Sequence, residues 1–244
     1  MTAASSTKPT ILITGSNRGI GLEFAKQYAG NGWRVVATCR NPEAADDLKA
    51  LAAENTDVTV EALDVLDHDM VDALAATYAG VPLDVLLNNA GFFGTRDMLE
   101  QQMPGRINYD LFEHYIWLDA VSPLKVAEAF LDHVAASQQK KIISMSSLQG
   151  SIQGGLGPGQ YFYRASKAAL NILMVQLSKD VRDRGIVVGL LSPGLVLNDR
   201  IRNASIPGGV ERAVSVAGMI EVIESLTPET SGSFLRWDGQ TVPW

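Results

Sequence analysis

Short apolar runs alternate with longer amphipathic stretches along most of this chain, and this alternation constrains its fold most strongly. In the amphipathic stretch after the first run, Ile20, Phe24 and Tyr28 recur at a spacing of four, which places them on one face of a helix. Parallel strands need crossover connections, and these are normally helical. The alternation therefore predicts an α/β fold, a doubly wound parallel sheet with helices on both faces. The runs predicted as strands are Ile11–Thr14, Trp33–Thr38, Val58–Leu63, Val85–Asn88, Ile142–Met145 and Ile186–Leu191.

Composition and organisation favour one domain. Of the 244 residues, 46% are hydrophobic and 19% are charged, which is the balance of a chain that buries a large core. Neither a linker nor a repeat interrupts the strand–helix pattern. We expect a single domain over residues 1–244, with a flexible N-terminus at residues 1–9.

Several classes of partner and compartment are disfavoured. The net charge is −7 and no cluster of Lys and Arg is interleaved with aromatic residues, so nucleic acid is not expected as a partner. The longest apolar run, from Ile186 to Leu197, is broken by Pro193 and Gly194, and the first residues lack a signal-peptide core, so neither a membrane span nor export is expected. The lone Cys39 cannot form an intrachain disulfide, which suits a cytoplasmic protein. The three histidines lack metal-ligand spacing, and we predict no metal.

A glycine-rich loop follows the first predicted strand and opens a helix. Its glycines have the spacing Gly-x3-Gly-x-Gly. Glycines allow the backbone to approach a pyrophosphate, and a helix N-terminus directs free N–H groups and a positive dipole at it. The alternative is an ordinary glycine-rich turn, but the strand before the loop and the helix after it favour dinucleotide binding in a Rossmann fold. The predicted contacts are Gly15, Ser16, Asn17, Arg18, Gly19, Ile20 and Gly21.

The end of the second predicted strand indicates which dinucleotide binds. A site that prefers NAD places an acidic residue about 20 positions after the glycine loop. Here Arg40 stands in that stretch, and Arg18 lies in the loop itself. Both would attract the 2′-phosphate of NADP(H), although either could be a solvated surface charge. Asp64, followed by Val65, is placed to bind the adenine end of the cofactor.

Tyr163 and Lys167 share one face of a predicted helix. A phenol has a pKa of about 10, so a tyrosine that acts as a proton donor and is regenerated at neutral pH needs its anion to be stabilised. A lysine one turn away provides this stabilisation. The pattern alone is common, and a core tyrosine beside a surface lysine is the alternative. The tyrosine–lysine pattern becomes specific for an active site when it is combined with two other motifs. Ser147 and the segment Asn89-Ala90-Gly91 each follow a predicted strand, at the edge where open parallel sheets bind ligands.

With these motifs in order, and with Pro193-Gly194 after the sixth strand, the chain resembles the short-chain dehydrogenase/reductase family over essentially its whole length. The resemblance implies that Ser147 hydrogen-bonds the substrate oxygen, Tyr163 transfers the proton, and Lys167 holds the nicotinamide ribose and lowers the pKa of the tyrosine. It also implies further contacts to the cofactor. These are Asn89, Ala90 and Gly91 at the ribose, and Pro193, Gly194 and Val196 at the carboxamide.

The C-terminal segment is similar to the carbonyl-reductase branch that includes the C-signal and Sniffer proteins. Two positions depart from the family pattern. Asp119 occupies the slot of an asparagine that holds a local helix distortion and, through its carbonyl, a water linked to the lysine; the aspartate keeps the carbonyl but loses the amide donor. Asn198 replaces a threonine after the Pro-Gly turn.

The leading hypothesis is an NADP(H)-dependent oxidoreductase acting on a small carbonyl or alcohol substrate. A cofactor-binding sensor on the same fold is the main rival, favoured only by Asp119, and a lyase or isomerase that uses the cofactor transiently is a third. The resemblance also implies a homodimer or homotetramer that pairs through helices around Tyr109–Val134 and Tyr163–Arg184.

Overall fold

A seven-stranded parallel sheet forms the centre of the computed structural model, which describes residues 8–155, 157–197 and 208–244. The strand order is β3-β2-β1-β4-β5-β6-β9, and β7 and β8 form a separate parallel pair. The doubly wound parallel sheet is thus confirmed, and each of the six predicted strands lies within one residue of its observed bounds. The strands are β1 Thr10–Ile13, β2 Arg34–Cys39, β3 Val58–Ala62, β4 Val85–Asn88, β5 Lys141–Met145, β6 Val187–Ser192, β7 Leu195–Leu197, β8 Gly209–Glu211 and β9 Phe234–Arg236.

Helices cover both faces of this sheet. One apolar cluster joins α1, α2 and α9 to one face, and a second joins α3, α6, α7 and α8 to the other. In the part of the chain that the structure describes, no helix is long and apolar enough to cross a membrane. The helices are α1 Gly19–Gly30, α2 Asp46–Glu54, α3 His68–Thr77, α4 Arg96–Glu100, α5 Leu111–Ile116, α6 Ser122–Ala129, α7 Leu131–Ala135, α8 Tyr161–Asp180 and α9 Arg212–Ser225.

The apolar stripe of α8 points into the second cluster as its spacing predicts. Leu170 and Met174 are almost completely buried against the sheet, and Leu177 and Val181 continue the same face. Burial of this stripe fixes the rotation of the helix about its axis. Tyr163 and Lys167, at the N-terminal end of the same stripe, are therefore held at the sheet as well.

The order of the strands reverses direction between β1 and β4, and the chain leaves these two strands toward opposite sides. A crevice opens at such a switch point, beyond the carboxyl ends of the strands, and open parallel sheets bind ligands there. The glycine loop follows β1, and Asn89-Ala90-Gly91 follows β4, so both predicted motifs lie at this crevice.

The predicted flexible N-terminus, residues 1–9, lies mostly outside the described residues. Of its last two residues, Pro9 accepts a hydrogen bond from the backbone N–H of Arg34 at 2.9 Å, and Lys8 forms an ion pair with Asp57. These contacts join the start of β1 to the elements beside it.

Candidate active site

The glycine loop has a backbone that other residues could not reproduce. Gly15 and Gly19 have φ angles of 70° and 63°, in the left-handed region. A Cβ atom at Gly21 would lie 2.3 Å from the carbonyl oxygen of Gly15, so the first turn of α1 packs directly on the loop. The side chain of Arg18, the residue before α1, makes no capping hydrogen bond to the helix, and the first residues of α1 line the crevice.

The segment after β4 is bonded to this loop. The side-chain amide of Asn89 donates to the carbonyl oxygens of Thr14 and Gly15 at 2.8 and 3.0 Å. In return, the hydroxyl of Thr14 accepts from the backbone N–H groups of Asn89 and Ala90, both at 3.0 Å. These bonds fix the two walls of the crevice relative to each other.

The crevice forms a cleft of about 500 Å³. Most of the residues predicted to hold the cofactor line it: Gly15, Asn17, Arg18, Gly19, Ile20, Gly21, Arg40, Asp64, Val65, Asn89, Ala90, Gly91 and Val196. Ser16 does not, because its hydroxyl is fully buried and donates to the carbonyl of Ile13. The loop backbone and the arginines beside it fit a dinucleotide whose phosphates lie at the start of α1.

Sequence reasoning did not assign the other lining residues of the cleft to the cofactor. Leu63 and Leu66 flank the predicted Asp64, and Cys39 precedes the predicted Arg40, so their neighbours in sequence could have indicated them. His114, Leu118 and Arg212 come from α5, the turn after it and α9, where no motif marks them. The additional lining residues are Cys39, Leu63, Leu66, Phe92, His114, Leu118 and Arg212.

Side chains of the predicted catalytic residues meet beside this cleft, at the carboxyl edge of β5. The hydroxyl of Ser147 lies close enough to the phenol of Tyr163 to act on its pKa as a hydrogen-bond partner. The ammonium group of Lys167 donates to the carbonyl oxygen of Met145 at 3.1 Å and lies 5.8 Å from the centre of the Tyr163 ring. The structure thus brings together all three residues of the predicted serine–tyrosine–lysine set.

The two adjacent serines after β5 differ in their surroundings. Ser146 is buried, and its hydroxyl donates to the side chain of Asn171 at 2.6 Å. Ser147 is partly exposed, and its hydroxyl accepts from the backbone N–H of Gln149 at 3.2 Å while also reaching Tyr163. Of the two serines, Ser147 is the one whose side chain is open to solvent beside Tyr163.

Opposing effects act on the phenol of Tyr163, whose side chain is buried. Burial raises the pKa of Tyr163 and is the largest effect. The positive charge of Lys167 and the hydrogen bond from Ser147 act to lower this pKa, whereas the negative charge of Asp119 raises it further. The net result is a pKa above the ordinary value, so the phenol is held in its protonated form near neutral pH.

Asp119 lies in a π-helical turn, Trp117–Val121, between α5 and α6. Its carboxylate is fully buried, accepts from the backbone N–H of Phe92 at 2.7 Å and from the hydroxyl of Ser166 at 3.2 Å, and lies 3.5 Å from the ammonium nitrogen of Lys167. The local helix distortion implied by the resemblance is therefore present with aspartate in this position. The carboxylate adds a buried ion pair to the lysine.

The turn after β6 approaches the site from the other side. Gly194 has a φ of 76°, and a Cβ atom there would lie 2.8 Å from the ring of Trp237. The hydroxyl of Ser215 donates to the carbonyl of Pro193 at 2.7 Å. These contacts hold the turn while Val196 reaches the cleft. Asn198, predicted to replace a threonine here, lies outside the described residues.

Acidic residues near the cleft act locally on the backbone. Asp67 caps α3 by accepting from the backbone N–H of Met70 at 3.0 Å, as its position predicts. Asp64 accepts from the N–H of Leu66 at 3.0 Å while lining the cleft. Among the described residues, no three His, Cys, Asp or Glu side chains are grouped so that they could hold a metal ion.

Several known proteins are similar to this chain in sequence and in architecture. A dehydrogenase of Rhodococcus sp. (strain AD45), named for 1-hydroxy-2-glutathionyl-2-methyl-3-butene, is 32% identical over 241 residues, which are 96% of this chain and 99% of that protein. The NADPH-bound carbonyl reductase from chicken fatty liver superposes with a TM-score of 0.87 at 32% identity, covering 97% of this chain and 99% of that one. The carbonyl reductase Sniffer of D. melanogaster superposes with a TM-score of 0.86 at 30% identity, covering 98% of this chain and 100% of that one.

These likenesses confirm the resemblance to the carbonyl-reductase branch. The sequence also matches the family described as short chain dehydrogenase over residues 9–206, which include β1 to β7, the glycine loop and the serine–tyrosine–lysine set. The chain belongs to the short-chain dehydrogenase family of oxidoreductases.

Proposed function

We propose that this protein is an NADP(H)-dependent carbonyl reductase, or the reverse alcohol dehydrogenase, in which Tyr163 is the general acid and base. The observation that carries the proposal is the meeting of Ser147, Tyr163 and Lys167 beside a cleft lined by the glycine loop. A protein that only bound the cofactor would have no need of a phenol that is hydrogen-bonded to a serine and has an ammonium group one turn away.

Each residue of the set has a separate task in this proposal. When bound, NADPH would supply the hydride for the carbonyl carbon. Ser147 would donate a hydrogen bond to the carbonyl oxygen, and Tyr163 would transfer its proton to that oxygen as negative charge develops there. Lys167 would stabilise the resulting phenolate, which then recovers a proton from solvent. Alcohol oxidation would use the same steps in reverse, with the phenolate of Tyr163 as the base.

The preference for NADP(H) is supported by the charges at the adenosine end of the cleft. Arg18 and Arg40 line the cleft, and the acidic residue that would repel a 2′-phosphate is absent from the end of β2. The half-buried Arg212 of α9 adds a third positive charge to the lining of the cleft. The solved carbonyl reductases that are similar to this chain include one with bound NADPH and one in complex with NADP. A guanidinium group matches phosphate in both charge and geometry.

The rival function, a catalytically weak cofactor sensor, is favoured by one observation. Asp119 neutralises part of the charge with which Lys167 acts on Tyr163, since the two charged groups lie 3.5 Å apart. Screening ketones, aldehydes, quinones and secondary alcohols by NADPH absorbance decides between the two. The enzyme hypothesis expects turnover of at least one class, whereas cofactor binding without any turnover would favour the sensor.

The cofactor preference should be reversible at one position. We expect Arg40→Asp to weaken NADP(H) binding by about tenfold or more and to improve NAD(H) binding, because a charge-assisted hydrogen bond to the 2′-phosphate is replaced by repulsion. Fluorescence titration of both cofactors measures this. Arg34→Asp, the same charge change at the other end of β2, should alter neither affinity. A wild-type protein that binds NADH more tightly than NADPH would contradict the assignment.

Chemistry and cofactor binding should separate at Tyr163. Phenylalanine keeps the ring packing but cannot donate a proton, so Tyr163→Phe should lower turnover by about 10²-fold or more while NADPH affinity stays nearly unchanged. Tyr161→Phe is the matched control, because that side chain is 45% exposed at the start of the same helix. If Tyr163→Phe retained wild-type turnover, another group would have to be the acid.

Asp119 should determine the pH range of each direction. Its negative charge raises the pKa of Tyr163, so Asp119→Asn should lower that pKa. Alcohol oxidation needs the phenolate and rises as pH passes through this pKa; its profile should therefore move to lower pH, and so should the alkaline decline of carbonyl reduction. The rate of oxidation near neutral pH should be held or increased. A profile that stayed in place would contradict this effect of the Asp119 charge, whereas a clear loss of activity in both directions would show that the aspartate is an adapted part of the site.

We also propose that the protein forms a homodimer or homotetramer. The predicted pairing helices carry large apolar side chains at their surfaces, including Phe112, which is 44% exposed, and Ile172, which is 64% exposed. Light scattering at micromolar concentration should give the mass of two or four chains, and Ile172→Lys should reduce it. A mass of one chain for the wild type would exclude the assembly and leave the chemistry unaffected.

A further inference from the structure

Gln102 is a fully buried polar side chain in the loop that joins β4 to α5, residues 92–108. Nothing in the sequence marks it, because glutamine at this position belongs to no motif. Its carboxamide makes one local hydrogen bond, to the carbonyl of Met98 at 3.3 Å. It also bonds in two directions outside the loop, toward the helix that carries Tyr163 and toward the aromatic residues around that tyrosine. A buried carboxamide with its donor and acceptor both used fixes the groups at either end.

The first direction leads to the start of α8. A helix N-terminus leaves backbone N–H groups without partners, and a side chain of the preceding residue usually accepts from one of them. In the described part of the chain, the preceding residue Gln160, with a φ of 59°, makes no such bond. Instead, the side-chain oxygen of Gln102 accepts from the backbone N–H of Phe162 at 2.9 Å. The cap of the catalytic helix is thus supplied from a distant loop, one residue before Tyr163.

The second set of hydrogen bonds leads from Gln102 to two aromatic residues near Tyr163, which are Tyr115 and Phe93. The side-chain nitrogen of Gln102 donates to the hydroxyl of Tyr115 at 3.2 Å, and that hydroxyl donates to the backbone carbonyl of Phe93 at 3.1 Å. Gly94 makes this approach possible, because a Cβ atom there would lie 2.2 Å from the Tyr115 oxygen. The side chains of Gln102 and Tyr115 thus connect the backbone of Phe162, in α8, to the backbone carbonyl of Phe93 through consecutive hydrogen bonds.

Phe93 connects these hydrogen bonds to Tyr163 by packing against its ring. Its ring meets the ring of Tyr163 edge-on, with the centres 4.8 Å apart and the planes at 79°. Phe93 is 48% exposed, so it lies where a substrate approaching Tyr163 would touch it. Gln102, Tyr115 and Phe93 therefore link the ring of Tyr163 to the backbone at the start of its own helix.

We infer that Gln102 is a positioning residue for the proposed reaction, which tethers the loop at residues 92–108 to the catalytic helix and fixes the phenol of Tyr163 against Phe93. The inference rests on the proposed function, since Tyr163 must be the proton donor for its position to matter. Gln102 itself does not reach the reacting atoms. Its effect comes through geometry, and displacements of about 1 Å at a reacting group can cost about 10²-fold in rate.

The test compares Gln102→Leu with Gln101→Leu. The neighbouring Gln101 bonds to Asp97 and Asn108, both inside the same loop, and has no bond to α8 or Tyr115 among the described contacts. Gln102→Leu should lower kcat for the best carbonyl substrate by about tenfold or more, with NADPH affinity unchanged. Gln101→Leu should leave kcat unchanged. An equal loss in both variants would indicate a general effect of the loop and would overturn the inference, as would a folded Gln102→Leu protein with wild-type kcat.

Tyr115→Phe provides a second variant that keeps the ring and removes only the hydroxyl. This variant should also lower kcat. The double variant Gln102→Leu with Tyr115→Phe should lose little more kcat than the more damaged single variant, because both substitutions break the same chain of hydrogen bonds. Independent, multiplying losses would contradict the tether. If Gln102→Leu fails to fold, Tyr115→Phe decides alone, and wild-type kcat in that variant refutes the inference.

Amide hydrogen exchange gives a measurement that needs no substrate. The first turn of α8 should exchange faster in Gln102→Leu than in the wild type or Gln101→Leu, since the N–H of Phe162 loses its acceptor. Unchanged exchange there would refute the tether. A wild-type protein that bound NADPH but reduced no carbonyl would refute the proposed function instead, so the two failures are distinguishable.

Discussion

Close approach of the backbone after β1 to the backbone after β4 is the constraint on which the rest of the site depends. Gly21 packs on the carbonyl of Gly15, and a Cβ atom at Gly15 would lie 3.0 Å from the Cα of Ala90. The contacts continue inward, because a Cβ atom at Gly91 would lie 2.9 Å from the carboxylate of Asp119 and 3.3 Å from the ammonium group of Lys167. A side chain at any of these glycines would push apart the phosphate loop, the buried carboxylate or the lysine. The cleft and the predicted serine–tyrosine–lysine set are thus parts of one packed unit, and the glycine spacing serves both.

Burial determines how the charges of this unit act. A buried carboxylate is costly unless it is paired and hydrogen-bonded, and Asp119 meets both conditions through Lys167, Ser166 and the backbone of Phe92. An asparagine would make the bond to Phe92 without adding the charge. Burial is the largest effect that raises the pKa of Tyr163, and the charge of Asp119 adds to it by partly offsetting the opposite effect of Lys167. A protein cannot change the equilibrium of its reaction, but it can set the pH range in which each direction runs.

Local patterns predicted most of the fold and of the candidate site, whereas features made by distant segments escaped. The six strands were found because each is a buried apolar run, and the motif residues because glycine, serine and tyrosine stand at strand ends or on a helix stripe. β9 was missed because it has three residues and only Phe234 is completely buried, and β7 and β8 are equally short. The contacts of Arg212 and Gln102 had no local signal, since the cleft and the helix cap that they complete exist only after α9 and the loop at residues 92–108 have packed.

The central claim is that this unit moves a hydride from NADPH to a carbonyl carbon. Its most direct test is to incubate the protein with NADPH carrying deuterium at both positions of the nicotinamide C4, together with a panel of ketones and aldehydes, and to analyse the alcohols by mass spectrometry and NMR. The account predicts one deuterium on the carbinol carbon of each alcohol and one NADPH consumed for each alcohol formed. Alcohol formed without deuterium, or NADPH bound and retained while no member of the panel is reduced, would contradict it.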